Sequence, residues 1–242
     1  MQEFDYRHSF CGFANQEVHW ISPLDSQERY QYHLKTQRHE LERHGWIDSY
    51  FTYRFNSQGF RCREFDLTPS LMTLGCSWTM GVGLPEHQVW PYLVSQELQL
   101  SCWNLGVGGS SNDTAFRLGV YYIPRLRPKV VALLSPCPER MEIVLSEPDQ
   151  LCFVSHNFSS SSVPRDLDLF YESWIRIESN AWLDQQKNIL ALRSICQDND
   201  AKFVFLTVDD ILLRGDLARD LAHPGVRTQK NIARRFLDLI SQ

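Results

Sequence analysis

From Ser70 onward the chain carries four short apolar runs, "SLMTLGCS", "SCWNLGVGG", "KVVALLSP" and "AKFVFLTV", separated by stretches of helix length. This spacing limits the possible folds more than any other feature. Short apolar runs that do not alternate with polar residues read as strands buried on both faces, the condition of a parallel sheet covered by helices. Between the runs, Glu86 to Leu98, Asn112 to Tyr121 and Val226 to Ile240 carry apolar residues at helical spacing. The βαβα alternation places the chain in the α/β class, as a three-layer α/β/α sandwich around a parallel sheet with a flavodoxin-like outline.

The first 69 residues follow another pattern. "DSQERYQYHLKTQRHELERHGW" predicts a helix from about Ser26 to His44, stopped by Gly45. "SYFTYRFNSQGFRCREFDL" alternates aromatic and polar residues on both sides of Asn56-Ser57-Gln58-Gly59, which predicts a β-hairpin turning at the glycine. Residues 1–69 are therefore read as an extension of helix and hairpin packed on a main domain at 70–242. Within that domain, Asp166 to Gln197 predicts two helices broken near Asn180, and "QLCFVSHNFSSSSVPRD" predicts a short strand followed by a serine-rich loop.

Composition excludes several classes of function. A net charge of −5 offers no basic field for nucleic acid or an anionic membrane. No stretch approaches the roughly 18 apolar residues of a spanning helix, and "MQEFDYRHSF" lacks the layout of a secretion signal. A cytoplasmic location is the expectation. The 7 cysteines are odd in number and form no CxxC pair, and the histidines form no HExxH, so neither a disulfide framework nor a metal site is expected. No cofactor is implied.

In an open parallel sheet, ligands bind beyond the carboxyl ends of the strands. That rule selects Gly75-Cys76-Ser77, Gly106 to Asn112, and Ser135-Pro136-Cys137-Pro138, joined late in the chain by "RDLAHPGVRTQ" with Asp220 and His223. A nucleophilic serine needs a base, a group to orient that base, and donors aimed at the developing oxyanion. These loops hold one of each. Singly they have ordinary readings: a serine after a strand is commonly a helix cap, as is Asn112 before Asp113, and Trp78, Trp90 and Trp103 commonly pack in a core.

Taken in order, the blocks resemble those of the SGNH hydrolases, the GDSL family of esterases and lipases. Gly75-Cys76-Ser77-Trp78-Thr79-Met80-Gly81 is similar to the family's G-D-S-x-x-x-G, with cysteine in place of the aspartate. Asn104-Leu105-Gly106-Val107-Gly108-Gly109 is similar to its second block, and Asp220-Leu221-Ala222-His223 to its last. The resemblance covers roughly residues 71–242. It departs at the third block, G-x-N-D, where Cys137 stands in place of an asparagine that donates to the oxyanion.

The resemblance implies Ser77 as nucleophile rather than Cys76, with His223 as base and Asp220 holding the imidazole. Ser77 and Gly109 would supply backbone oxyanion donors, and Asn112 is the nearest replacement for the missing amide. Trp78, Cys137 and Arg140 are candidate substrate contacts. The implied activity is a serine esterase acting on a small acyl ester, with an acyl group on a saccharide as the favoured substrate. Two alternatives stay open: an acyltransferase using the same residues, and a binding module of the same fold without turnover. The oligomeric state is not legible.

Overall fold

A computed structural model describes residues 7–144, 151–154, 169–170, 172–174 and 176–242. Four parallel strands form the central sheet: β3 (Ser70–Gly75), β4 (Ser101–Gly106), β5 (Val130–Ser135) and β8 (Lys202–Thr207), in the order β4-β3-β5-β8. Two antiparallel pairs lie outside it, β1 (Glu17–Val18) with β2 (Tyr53–Arg54), and β6 (Met141–Val144) with β7 (Leu151–Val154). The predicted four-strand sheet is present in full.

The strands are apolar throughout because helices cover both faces. Side chains alternate across a strand, and β5 sends Val131 and Leu133 one way and Val130, Ala132 and Leu134 the other. The first set packs with Met72, Leu74, Trp103 and Leu105 against α5 (Asn112–Leu126) and α6 (Glu178–Asp198). The second packs against α4 (Trp90–Leu98) and α7 (Val226–Ser241), where Trp90 stacks on Phe236 at 4.4 Å. This is the three-layer sandwich. Trp90 and Trp103 are wholly buried in it.

Several boundaries differ from the predicted ones. The N-terminal helix is two, α1 (Gln27–Thr36) and α2 (Arg38–His44), broken at Gln37. The Thr36 hydroxyl donates to the Tyr32 carbonyl at 2.8 Å, a back-bond that competes with the helical ladder. The caps fall where expected: the Ser26 side chain accepts from Arg29, and Gly45 is left-handed. The α4 helix starts at Trp90 because Pro91 needs no N–H partner in a first turn, and Glu86–Gln88 forms a separate 3₁₀ turn. The break predicted near Asn180 does not fall there, because α6 starts at Glu178 and runs through Asn180. Ser159 to Ser162 lie outside the described residues.

The predicted hairpin does not form. Its turn is real: Asn56 Oδ1 accepts the N–H groups of Gln58 and Phe60, each at 3.0 Å. The outgoing arm then turns into the core, with Phe60, Arg61 and Cys62 buried, so β2 takes β1 as its partner instead. Phe10, Ile21, Tyr53, Phe55 and Phe60 share one apolar cluster with the sheet. Among the described residues no helix is long and apolar enough to cross a membrane.

Candidate active site

Ser77 opens α3 (Ser77–Met80), a single turn at the carboxyl end of β3. The turn into it is tight. Gly75 has φ +146°, and a Cβ there would overlap the Thr79 side chain and lie 2.6 Å from the Leu134 carbonyl, so only glycine fits. Cys76 is buried, and its carbonyl accepts the N–H groups of Thr79 and Met80 at 3.0 Å each. Ser77 is 5% exposed, and at the first helical position its N–H has no intrahelical partner.

The second loop is clamped to the first through one carbonyl. Gly75 O accepts from Val107 N at 2.9 Å and from Ser110 Oγ at 3.1 Å. Asn104 of β4 donates to Thr79 O at 2.9 Å and accepts from Gly106 N at 3.0 Å, so it joins α3 to the strand beside it. Gly109 sits in this loop at φ +77°, with open space where a side chain would project.

The cap of α5 is Ser111, not Asn112, because the Ser111 side chain accepts from Thr114 N while Thr114 returns the bond. Asn112 stands one residue inside the helix. It is buried, its Oδ1 accepts from Ser135 Oγ at 2.8 Å, and its Nδ2 donates to Pro136 O at 3.3 Å. The amide thus lies against the third loop, one residue short of Cys137. Gln185 of α6 braces the same place, donating to Ser135 Oγ at 2.9 Å.

Asp220 and His223 are joined at 2.5 Å between Oδ2 and Nδ1. Asp220 Oδ1 accepts the backbone N–H groups of Ala222 and His223 at 3.2 and 3.1 Å, and this fixes the loop. Burial alone would push the Asp220 carboxyl up; the hydrogen bond and charge of His223 and the two backbone N–H groups outweigh it and hold the group below its ordinary value. Neither Ser77 Oγ nor His223 Nε2 has a hydrogen-bond partner among the described residues.

Two contacts bring this loop to the Ser77 turn. Arg219 N donates to Gly83 O at 3.0 Å, and Gln229 Nε2 of α7 donates to Trp78 O at 3.1 Å. Trp78 is half-buried against the α4–α7 core. Asp216 holds the start of α7, its carboxylate accepting Arg227 N at 2.5 Å and Thr228 N at 3.2 Å.

Cys137 is half-buried; burial pushes its thiol up, Arg140 opposes this, and Cys76, Asp209 and Glu139 reinforce it. The third loop follows β5, the strand between β3 and β8 in the sheet. The Arg140 backbone N–H donates to Cys137 O at 3.2 Å, and its buried Nη1 has no partner among the described residues. Beside this loop is a cavity of about 920 Å³, lined by Glu139, Glu178, Trp182, Gln185, Gln186 and Asp209 among others, with no lysine or arginine among the described residues. No group of three or more metal-ligating side chains gathers among the described residues.

No family model matches the chain, and no curated protein matches it. Several solved structures are similar in outline. A protein named TesA is 12% identical over 70% of this chain and 96% of its own, with a TM-score of 0.45. An acetyl xylan esterase, Est2A, from the rumen bacterium Butyrivibrio proteoclasticus is 11% identical over 79% of this chain and 66% of its own, with a TM-score of 0.42. The psychrotrophic esterase EstA from Pseudoalteromonas sp. is 14% identical over 71% and 96%, with a TM-score of 0.37. At such distances the side-chain geometry of this chain stands on its own.

Proposed function

We propose that the protein is a serine esterase of the SGNH type in which Ser77 attacks the acyl carbon. The observation that carries this reading is the Asp220–His223 pair at 2.5 Å, held by two backbone N–H groups and packed onto the segment that follows Ser77. Asp220 keeps the proton of His223 on Nδ1, so Nε2 is left to take the Ser77 proton and later to give it to the departing alcohol. The N–H groups of Ser77 and Gly109 receive the oxyanion. Asn112, lying against the third loop, supplies the third donor in place of the amide that Cys137 lacks. Water then cleaves the acyl-enzyme by the reverse sequence.

The alcohol half of the substrate is assigned to a saccharide. An exposed Trp182 indole gives an aromatic wall for a sugar ring, and the carboxylates and amides around it accept and donate to hydroxyls. Among the described residues the cavity presents three carboxylates and no cation, a lining that disfavours phosphate-bearing or uronate substrates.

Hydrolysis of 4-nitrophenyl acetate by the wild type, Ser77→Ala and Cys76→Ala, each treated with a fluorophosphonate, tests the reading. Ser77→Ala is expected to lose about 10⁴-fold or more in kcat and all labelling, with Cys76→Ala active. Loss confined to Cys76→Ala would transfer the nucleophile to the thiol. A second reading, a non-catalytic binding module, is favoured by the open Ser77–His223 pair and by Cys137; a wild type inert to both reagents would establish it.

A further inference from the structure

The N-terminal segment reaches the candidate site through a closed circuit of buried polar groups. Arg219 and Asp25 are each 1% exposed and form a two-pronged ion pair, Nη2 to Oδ2 at 2.6 Å and Nε to Oδ1 at 3.3 Å. The guanidinium also donates to His19 O at 2.7 Å and lies 3.9 Å from the centres of both the Trp20 and Phe51 rings. Asp25 Oδ2 accepts a second bond, from Tyr53 Oη at 2.6 Å. Tyr53 Oη in turn accepts from Gly83 N at 2.7 Å, and Gly83 O accepts from Arg219 N at 3.0 Å. The ring runs Gly83, Tyr53, Asp25, Arg219 and back to Gly83.

Its two ends are the two halves of the candidate site. Gly83 lies six residues after Ser77, and Arg219 immediately precedes Asp220. A buried ion pair is an inefficient source of stability, because desolvating two charges offsets most of their attraction and apolar residues of similar volume often do as well. What such a pair provides that apolar packing does not is fixed direction, here at both oxygens of one carboxylate. With Ser77 Oγ and His223 Nε2 not yet in hydrogen-bond contact, the separation of the two segments determines whether the base closes on the nucleophile.

We infer that Asp25 is a positioning residue of the Ser77–His223 site, setting through Arg219 and Tyr53 the separation between the loop that carries the base and the turn that carries the nucleophile. This rests on the esterase reading above. The residues of the ring that precede Ser70, Asp25 and Tyr53, are then part of the site's framework without carrying any of the reacting atoms.

The test compares Asp25→Asn, Asp25→Glu and Tyr53→Phe with Phe55→Leu, a substitution in the neighbouring core that leaves the ring intact. For each, kcat and KM for 4-nitrophenyl acetate, the rate of fluorophosphonate labelling and Tm are measured where the protein is folded. Asp25→Asn is expected to lower kcat and the labelling rate by about 10- to 10²-fold with KM little changed, as displacement of a base by a fraction of an ångström would. Asp25→Glu should recover part of the loss, and Phe55→Leu should lower Tm without lowering kcat. Where Asp25→Asn does not fold, Tyr53→Phe carries the same expectation at a smaller size. An active wild type whose folded ring variants keep full kcat, or whose Phe55→Leu control loses as much, overturns the proposal alone. A wild type inert to both reagents overturns the esterase reading and the proposal with it.

Discussion

Replacing Arg61 by methionine should destabilise the protein by about 3 kcal/mol, an estimate that follows from what its guanidinium holds. The side chain is fully buried, donating to Met80 O at 3.1 Å, Gly81 O at 2.6 Å and Leu84 O at 2.6 Å, and lying 4.3 Å from the centre of the Tyr53 ring. No carboxylate among the described residues pairs with it. Each bond from a charged donor is worth about 1.5–3 kcal/mol, so the three together gain about 5–9 kcal/mol. Burial of an unpaired cation opposes this by several kcal/mol, and that same burial pulls the Arg61 pKa down.

Methionine removes both terms, which largely cancel, and leaves two buried carbonyls, Met80 O and Leu84 O, without that donor at about 1.5 kcal/mol each, while Gly81 O keeps the Leu84 N–H at 3.3 Å. The net loss of about 3 kcal/mol corresponds to roughly 6–12 °C in Tm for a chain of this size. Urea unfolding followed by tryptophan fluorescence, with Tm by calorimetry, measures it. A stability equal to or above the wild type would show that the cation's desolvation dominates, and that the turn after α3 is held by other contacts.

Three further outcomes are expected. Gly75→Ala should abolish folding or cost several kcal/mol, because the new Cβ meets the Leu134 carbonyl in a conformation that disfavours side chains; expression and Tm report it. His8 is buried, its Nδ1 accepting from Phe10 N and its Nε2 bonded to Gln58 O, and burial lowers its pKa to about 4. Since the unfolded chain takes up the proton first, stability should fall by about 3 kcal/mol as pH drops from 6.5 toward 4, and His8→Asn should remove that slope. Asp220 is held below its ordinary value, so it contributes stability above the unfolded pKa that is lost as pH falls through the folded one; Asp220→Asn should flatten the fall of Tm on the acid side of the ordinary carboxylate range.

The strands of the central sheet were legible because burial on both faces requires uninterrupted apolar runs, and "KVVALLSP" and "SLMTLGCS" can serve little else. Helix ends were legible where one residue decides them, as at Gly45, and less so at Pro91, where the apolar spacing ran on back to Glu86, and where capping residues adjoin, as with Ser111 and Asn112. Aromatic alternation around Asn56 signalled a strand but not its partner, which lies 35 residues earlier in register, Val18 opposite Tyr53. Asp220 and His223 stood out because their contact is local. Asp25, Tyr53, Arg61 and Arg219 were invisible: an aspartate and an arginine 194 residues apart carry no periodic signature, and only the folded chain brings them together. Gln229 was hidden for the same reason, its bond to Trp78 O spanning 151 residues.

The circuit through Asp25 and Gly83 also bears on the order of folding. Its last member, Arg219, follows every strand of the central sheet along the chain, so its contact with Asp25 closes a loop of 194 residues. On the ribosome, Tyr53, Asp25 and the rings of Trp20 and Phe51 must wait for that arginine with their polar and apolar faces uncovered. A nascent chain that ends before Arg219 has the apolar contacts of the N-terminal segment with the sheet but leaves the Asp25 carboxylate without its cation. The carboxylate that fixes the distance between two loops in the finished protein thus also makes the first part of the chain depend on the last.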